Sequence, residues 1–142
     1  MNMPSAAERF LRDFHDRLPG GSTRAFAGVP VADDQGLAHS DTYHALVHRL
    51  QDGGTPAGPV LDLACGDGHL LGLLRAAGRA VRGVDASTGE LAAARKRLGD
   101  AVPLQQARAQ ALPLADGRLA AVTCHMALML MDTPATVLAE LQ

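Results

Sequence analysis

Val60-Leu61-Asp62-Leu63-Ala64-Cys65-Gly66-Asp67-Gly68-His69 decides the fold of this chain. The segment 60–64 is a short apolar run interrupted only by Asp62, the pattern of a strand buried on both faces. It ends in two glycines one residue apart, and a helical pattern follows at once over 69–77, with Gly78 placed to end it. Gly66 and Gly68 remove side chains where backbone must pass close to a ligand. The helix start behind them offers N–H groups without partners. Such a turn puts a ligand across the carboxyl end of the strand. Tight turns use glycine for steric reasons too, so the reading needs a second signal.

Gly83-Val84-Asp85 supplies it, closing a second strand at 80–84. An acidic residue roughly 20 positions beyond the glycine turn accepts hydrogen bonds from ribose hydroxyls in nucleoside-binding sheets. The plainer reading, a carboxylate that only ends a strand or caps a helix, does not explain its pairing with the turn. Further on, Ser87-Thr88-Gly89-Glu90 has the form of a capping box, opening a helix that runs to Leu98 and stops at Gly99. A weaker third strand is expected at 103–107 and a fourth at 119–126. Asp132-Thr133-Pro134 opens a last helix, with proline where its missing N–H costs nothing. Alternating strands and helices with continuous apolar strands mean a parallel sheet covered on both faces.

Upstream, residues 1–58 read as a helical preface, or lid, to a ligand-binding domain at 59–142. Phe10, Leu11, Phe14 and Leu18 recur at helical spacing over 5–18, ended by Pro19-Gly20-Gly21. The segment 20–36 has no period and reads as a loop. A second helix is expected at 41–51, capped by Ser40, with Tyr43, Leu46, Val47 and Leu50 on one side. Phe10, Phe14 and Phe26 are candidates for a substrate lid or for core packing. His44 and His48, four apart on one helix face, could share a metal, but no third ligand is evident and a solvated face is the better reading.

Composition sets the bounds. In 142 residues, 47% apolar and 20% charged with net charge −2, there is material for one globular domain and no general attraction to nucleic acid or anionic lipid. No apolar stretch approaches a membrane span, and the N-terminus lacks the apolar region of a signal peptide. A cytoplasmic protein is the expectation. Cys65 and Cys124 read as reduced core thiols without metal-type spacing.

The identity of the nucleoside turns on two positions. A dinucleotide fold wants a third glycine three residues after the second, where this chain has Leu71. Asp62 would repel a pyrophosphate but suits a cationic amino group, so a zwitterionic methionine moiety fits better than two phosphates. VLDLACGDGHLL at 60–71, GVDAS at 83–87 and ALPLADGRLAAVTCHMALMLM at 111–131 together resemble the class I S-adenosylmethionine-dependent methyltransferases of the small-molecule type 11 kind. The resemblance covers 59–142 and implies a Rossmann-like three-layer α/β sandwich, its parallel strands ordered 3-2-1-4. It implies that Asp62, Ala64, Cys65, Gly66 and Gly68 line the methionine end, that Asp85 holds the ribose, and that Ala86 and Ser87 lie beside the adenine. The family often has Asp shortly before its Leu-Pro pair, reaching the adenine amine. That position is Arg108 here, so only backbone amides and apolar contact from 109–112, including Ala109 and Gln110, carry over. Ala64 replaces the first glycine of the family turn, and Leu119-Ala120 replaces its Phe-Asp.

The implied reaction is methyl transfer to O, N or C of a small molecule, leaving S-adenosylhomocysteine. His125, at the carboxyl end of the fourth strand, is the candidate general base, although alignment alone can suffice for sulfonium chemistry. The resemblance also implies seven strands ordered 3-2-1-4-5-7-6, of which four are countable. The chain is therefore expected to be C-terminally truncated, with part of the acceptor surface in the absent strands, or to self-associate through the edge of strand four. Two rival readings stand beside this one: an NAD(P)-dependent oxidoreductase, and a non-catalytic cofactor-binding or interaction module.

Overall fold

Continuous apolar strands need cover on both faces, and the computed structural model, which describes residues 3–142, supplies it. The chain runs through α1 (Ala6–Arg17), α2 (Gly21–Phe26), a small hairpin of β1 (Val31–Ala32) and β2 (Ala38–His39), and α3 (Thr42–Asp52). It continues as β3 (Val60–Leu63), α4 (His69–Ala76), β4 (Val81–Asp85), α5 (Thr88–Leu98), β5 (Leu104–Gln106), β6 (Ala121–Thr123) and α6 (Pro134–Glu140). The main sheet is parallel in the order β5-β4-β3-β6, the expected 3-2-1-4. Every residue of the central β3 is buried. Asp62 stands opposite Gly83 of β4 on one side and Thr123 of β6 on the other. The described residues place no strand on the far side of β6.

Three apolar clusters hold the layers together. Leu61, Leu63 and Val84 pack with Val137 of α6, Cys65 and Leu71 pack with Leu91 and Val102, and Tyr43 and Val60 pack with Leu70 and Leu74. A fully buried leucine contributes about 1.5–3 kcal/mol, so α4, with Leu70, Leu71 and Leu74 buried, is held mainly by packing. The close approach comes from β4. A Cβ on Gly83 would sit 2.6 Å from Leu71 Cδ1 and 2.8 Å from Cys65 Sγ. Leu71, where a dinucleotide fold would have its third glycine, fills the room that Gly83 leaves.

The preface departs from expectation in several places. The segment 20–36, read as a loop, contains α2 and the hairpin. Helix α2 has no side-chain cap, so its support is tertiary: Gly20 N donates to Glu90 Oε2 at 2.9 Å and Thr23 Oγ1 to Asp67 Oδ1 at 2.6 Å. Asp33 makes the hairpin, its Oδ1 accepting from Gln35 N and Leu37 N. Asp41, not Ser40, caps α3: its Oδ1 accepts from His44 N and its Oδ2 from Gly28 N. Burial works to raise the Asp41 pKa, but the bonds from Gly28 and His44 outweigh it and hold the carboxyl down at about 2.

Helix α1 turns most of its apolar stripe outward, with Leu11 facing in. Phe10, Phe14 and Leu18 are 65%, 40% and 53% exposed, because polar anchors hold the opposite face inward. Phe10 and Phe14 are therefore outside the core and do not line the cleft, while Phe26 packs on the Tyr43–Val60 cluster. The capping box at α5 is half made: Ser87 Oγ accepts from Glu90 N, but Ser87 N donates to Asp85 Oδ1 at 2.8 Å. Glu90 is thereby freed for Gly20 and His15. His44 and His48 each face their own carboxylate, Asp41 and Asp52. Among the described residues no group of three side chains is arranged to hold a metal, and no helix is long and apolar enough to cross a membrane.

Candidate functional site

The turn after β3 forms the centre of a cleft of about 410 Å³ at the carboxyl end of the sheet. Gly66 takes φ +55°, a left-handed conformation that suits glycine. Ala64 takes φ +57° without that freedom, a strain of roughly 1–2 kcal/mol for an L-residue. Ala64, where the resemblance implies a glycine, thus takes a backbone conformation that glycine adopts freely. Strained backbone of this kind clusters where ligands are clamped, and Met126, which also lines the cleft, has φ +52°.

Asp85 joins the two sequence signals directly. Its Oδ2 accepts from Gly66 N at 2.9 Å and its Oδ1 from Ser87 N at 2.8 Å. The glycine bend and the carboxylate ending β4 thus face one point of the cleft. Burial raises the Asp85 pKa, against the two backbone donors. Asp62, only 2% exposed, lies beside it with Oδ1 accepting from Thr123 Oγ1 at 2.9 Å. Burial, with the charge of Asp85 adding to it, pushes Asp62 up to about 7. Two desolvated carboxylates side by side make a floor that favours a cationic ligand and opposes phosphate.

Asp62, Ala64, Cys65, Gly66, Asp85, Ala86, Ser87, Ala109, Gln110 and His125 all line this cleft. Gly68 does not. A Cβ there would lie 2.9 Å from Leu98 Cδ1 and 3.2 Å from Ala94 Cβ, so its smallness serves the packing of α4 on α5. The Cys65 thiol, pushed up by burial, stays protonated. His125 sits just past β6, where its ring stacks on Tyr43 with centroids 3.9 Å apart and its Nε2 shares a 2.7 Å hydrogen bond with Thr42 Oγ1. Burial lowers its pKa, which leaves the imidazole neutral near pH 7.

The preface contributes a wall that sequence reasoning missed. Glu8, Leu11, Arg12 and His15 of α1 line the cleft, at the spacing of one helix face. His15 Nδ1 lies 2.9 Å from Glu90 Oε1, and that bond raises the His15 pKa. Asp16 Oδ1 accepts from Ser87 Oγ at 2.6 Å and from Gly89 N at 3.0 Å, so α1 supplies an anionic cap to the start of α5. The available signal was the polar face of the helix, overshadowed by its phenylalanines.

With this geometry in hand, residues 61–142 match the family described as a methyltransferase domain. None of the curated proteins matches the sequence. The fold aligns with a candidate S-adenosyl-L-methionine-dependent methyltransferase of Methanococcus maripaludis over 99% of this chain and 60% of that one, at 17% identity and TM-score 0.65. It aligns with magnesium protoporphyrin IX methyltransferase of Synechocystis PCC 6803, solved with bound S-adenosylmethionine, over 99% and 73%, at 21% identity and TM-score 0.69. Geranyl diphosphate C-methyltransferase of Streptomyces coelicolor aligns over 68% and 39%, at 22% identity and TM-score 0.58. At such identities the likeness is one of fold, and the chain spans three-fifths of the first of these structures.

Proposed function

The chain belongs to the S-adenosylmethionine-dependent class I methyltransferases, and from that premise we propose that its cleft receives S-adenosylmethionine for methyl transfer to O, N or C of a small molecule. The observation that carries this reading is the pair Asp62, within β3, and Asp85, at the end of β4, close enough for the charge of one to act on the other, with Asp85 bonded to the glycine bend. The donor set fits. Asp62 offers a buried carboxylate to the ammonium of the methionine part, which would supply the positive charge its surroundings lack. Asp85 uses one lone pair of each oxygen on backbone amides and has others for a ribose diol. Cys65, Gly66 and Ala64 border the methionine end, Ala86 and Ser87 the base.

When bound, S-adenosylmethionine supplies an electrophilic methyl group on a sulfonium, with S-adenosylhomocysteine as product. The work left to this chain is alignment and exclusion of water. On the rim beyond Asp62, Tyr43, His125, Met126 and Leu130 offer an aromatic and apolar seat to the acceptor. His125, neutral and oriented by Thr42, is suited to take a proton from a hydroxyl or amine. A porphyrin and geranyl diphosphate, the substrates named for two of the structural relatives, are small molecules as well. In this reading residues 1–58 act as lid and 59–142 as binding domain, in a cytoplasmic protein without nucleic-acid or membrane partners.

Calorimetry with S-adenosylhomocysteine and NADH side by side tests the reading, with binding of the first alone expected. Asp85→Ala should weaken that binding roughly ten- to a hundredfold, because a charge-assisted hydrogen bond is worth about 1.5–3 kcal/mol. Unchanged affinity in the variant removes Asp85 from the site, and NADH binding overturns the proposal.

A further inference from the structure

Resting on the cofactor reading above, we propose that Glu8 of α1 accepts a hydrogen bond from the exocyclic amine of the adenine, making the preface helix a determinant of base specificity. The sheet order gives the cleft a direction, from Asp62 on β3 through Asp85 on β4 to Gln106 on β5. A ribose on Asp85, with the methionine part towards β3, puts the base at the β5 end, against the segment 106–110. That segment brings a guanidinium, Arg108, which has donors only and cannot accept from an amine.

Five carboxylates line the cleft among the described residues: Glu8, Asp62, Asp67, Asp85 and Glu90. Asp62 lies at the other end of this path, and Asp85, midway, is taken up by the Gly66 and Ser87 amides and by the ribose in this reading. Asp67 is taken up by Thr23, Arg97 and the His69 amide, and Glu90 by Gly20 N and His15. Glu8 stands at the base end. Its Oε2 accepts from Arg108 Nη2 at 2.7 Å and its Oε1 from Gln110 Nε2 at 2.9 Å. Gln110 Nε2 is also 3.2 Å from Thr133 Oγ1. These contacts fix the carboxylate in one place, and each oxygen keeps a second lone pair. The helix behind it is pinned by Asp16 on the start of α5. Position 108, where the resemblance implied an acidic side chain, is basic and holds an acidic one brought from 100 residues away.

The test is calorimetry of wild type and Glu8→Ala with two ligands, S-adenosylhomocysteine and its desamino analogue carrying hydrogen at purine C6. Wild type should prefer the amine about tenfold or more, and the variant should hold the two within about threefold. Alanine favours the helix, and binding of the desamino analogue certifies the variant's fold. Glu8→Gln, which keeps the side-chain length, serves if alanine disrupts it and should also narrow the preference. A preference unchanged in the variant, or absent in wild type, overturns the role of Glu8. Wild type binding neither ligand overturns the cofactor reading itself.

Discussion

Replacing Asp62 with asparagine should stabilise the ligand-free protein while weakening its hold on the cofactor. Asp62 is fully buried, and burial lifts its pKa from 3.8 to about 7. That is roughly three decades of proton affinity, each worth about 1.4 kcal/mol, so the ionised carboxylate costs the fold on the order of 4 kcal/mol. The pH dependence has a definite sign. Between about pH 4 and pH 7 the folded chain retains a proton that the unfolded chain has released, so stability falls as pH rises through that window and levels off above it. Asparagine has the same shape and its carbonyl can still accept from Thr123 Oγ1. Its new N–H₂ group needs acceptors in an apolar setting, which returns part of the gain. We expect a net increase of about 1–3 kcal/mol near pH 8, a rise in Tm of at least about 3 °C for a chain of this size. Most of the gap should be gone near pH 4.5. Thermal melts of both proteins at the two pH values measure it, and calorimetry near pH 8 should show S-adenosylhomocysteine bound at least about tenfold more weakly by the variant. A variant less stable than wild type near pH 8, or a gap indifferent to pH, would refute the reasoning.

His15→Gln should remove a pH-sensitive contact between α1 and α5. Because Glu90 raises the His15 pKa, the stabilisation is full below about 6.5 and lost as pH climbs through the raised value; a wild-type advantage in Tm equal near pH 5.5 and pH 9 would contradict this. Ala64→Gly should relieve the φ of +57° and stabilise by up to about 1 kcal/mol, read from denaturant midpoints; a loss of stability would show that the strain is absent. Gly83→Ala, with no room for a Cβ beside Leu71 and Cys65, should cost about 1–3 kcal/mol or more, and a neutral result in the same assay would mean that α4 can retreat from the sheet.

The strand–helix alternation and the pairing of Gly66 with Asp85 were legible because burial on both faces leaves continuous apolar runs, and because tight turns demand particular residues; the sheet order came from the family resemblance. Helix α2 was not, since nothing local caps it and its support comes from Asp67 and Glu90, far along the chain. The orientation of α1 was misread for a related reason. Periodicity locates two faces but does not say which one turns inward when Glu8, His15 and Asp16 all find partners beyond residue 84. The fourth strand came out at Ala121–Thr123 rather than 119–126, because apolar residues continue into the turn at Leu128–Leu130. Gly68 looked like a ligand contact because the motif couples two jobs, close helix packing and ligand approach, that the letter G does not separate.

The outward stripe of α1 also bears on how the protein is handled. The family match begins at residue 61, yet the helix whose polar side closes the cleft ends at Arg17. A fragment cut at the match boundary would retain the strands and the glycine bend but leave Asp85, Ser87 and Glu90 open to bulk water. Workers trimming this polypeptide by its recognisable part would discard the segment that walls one side of the cleft.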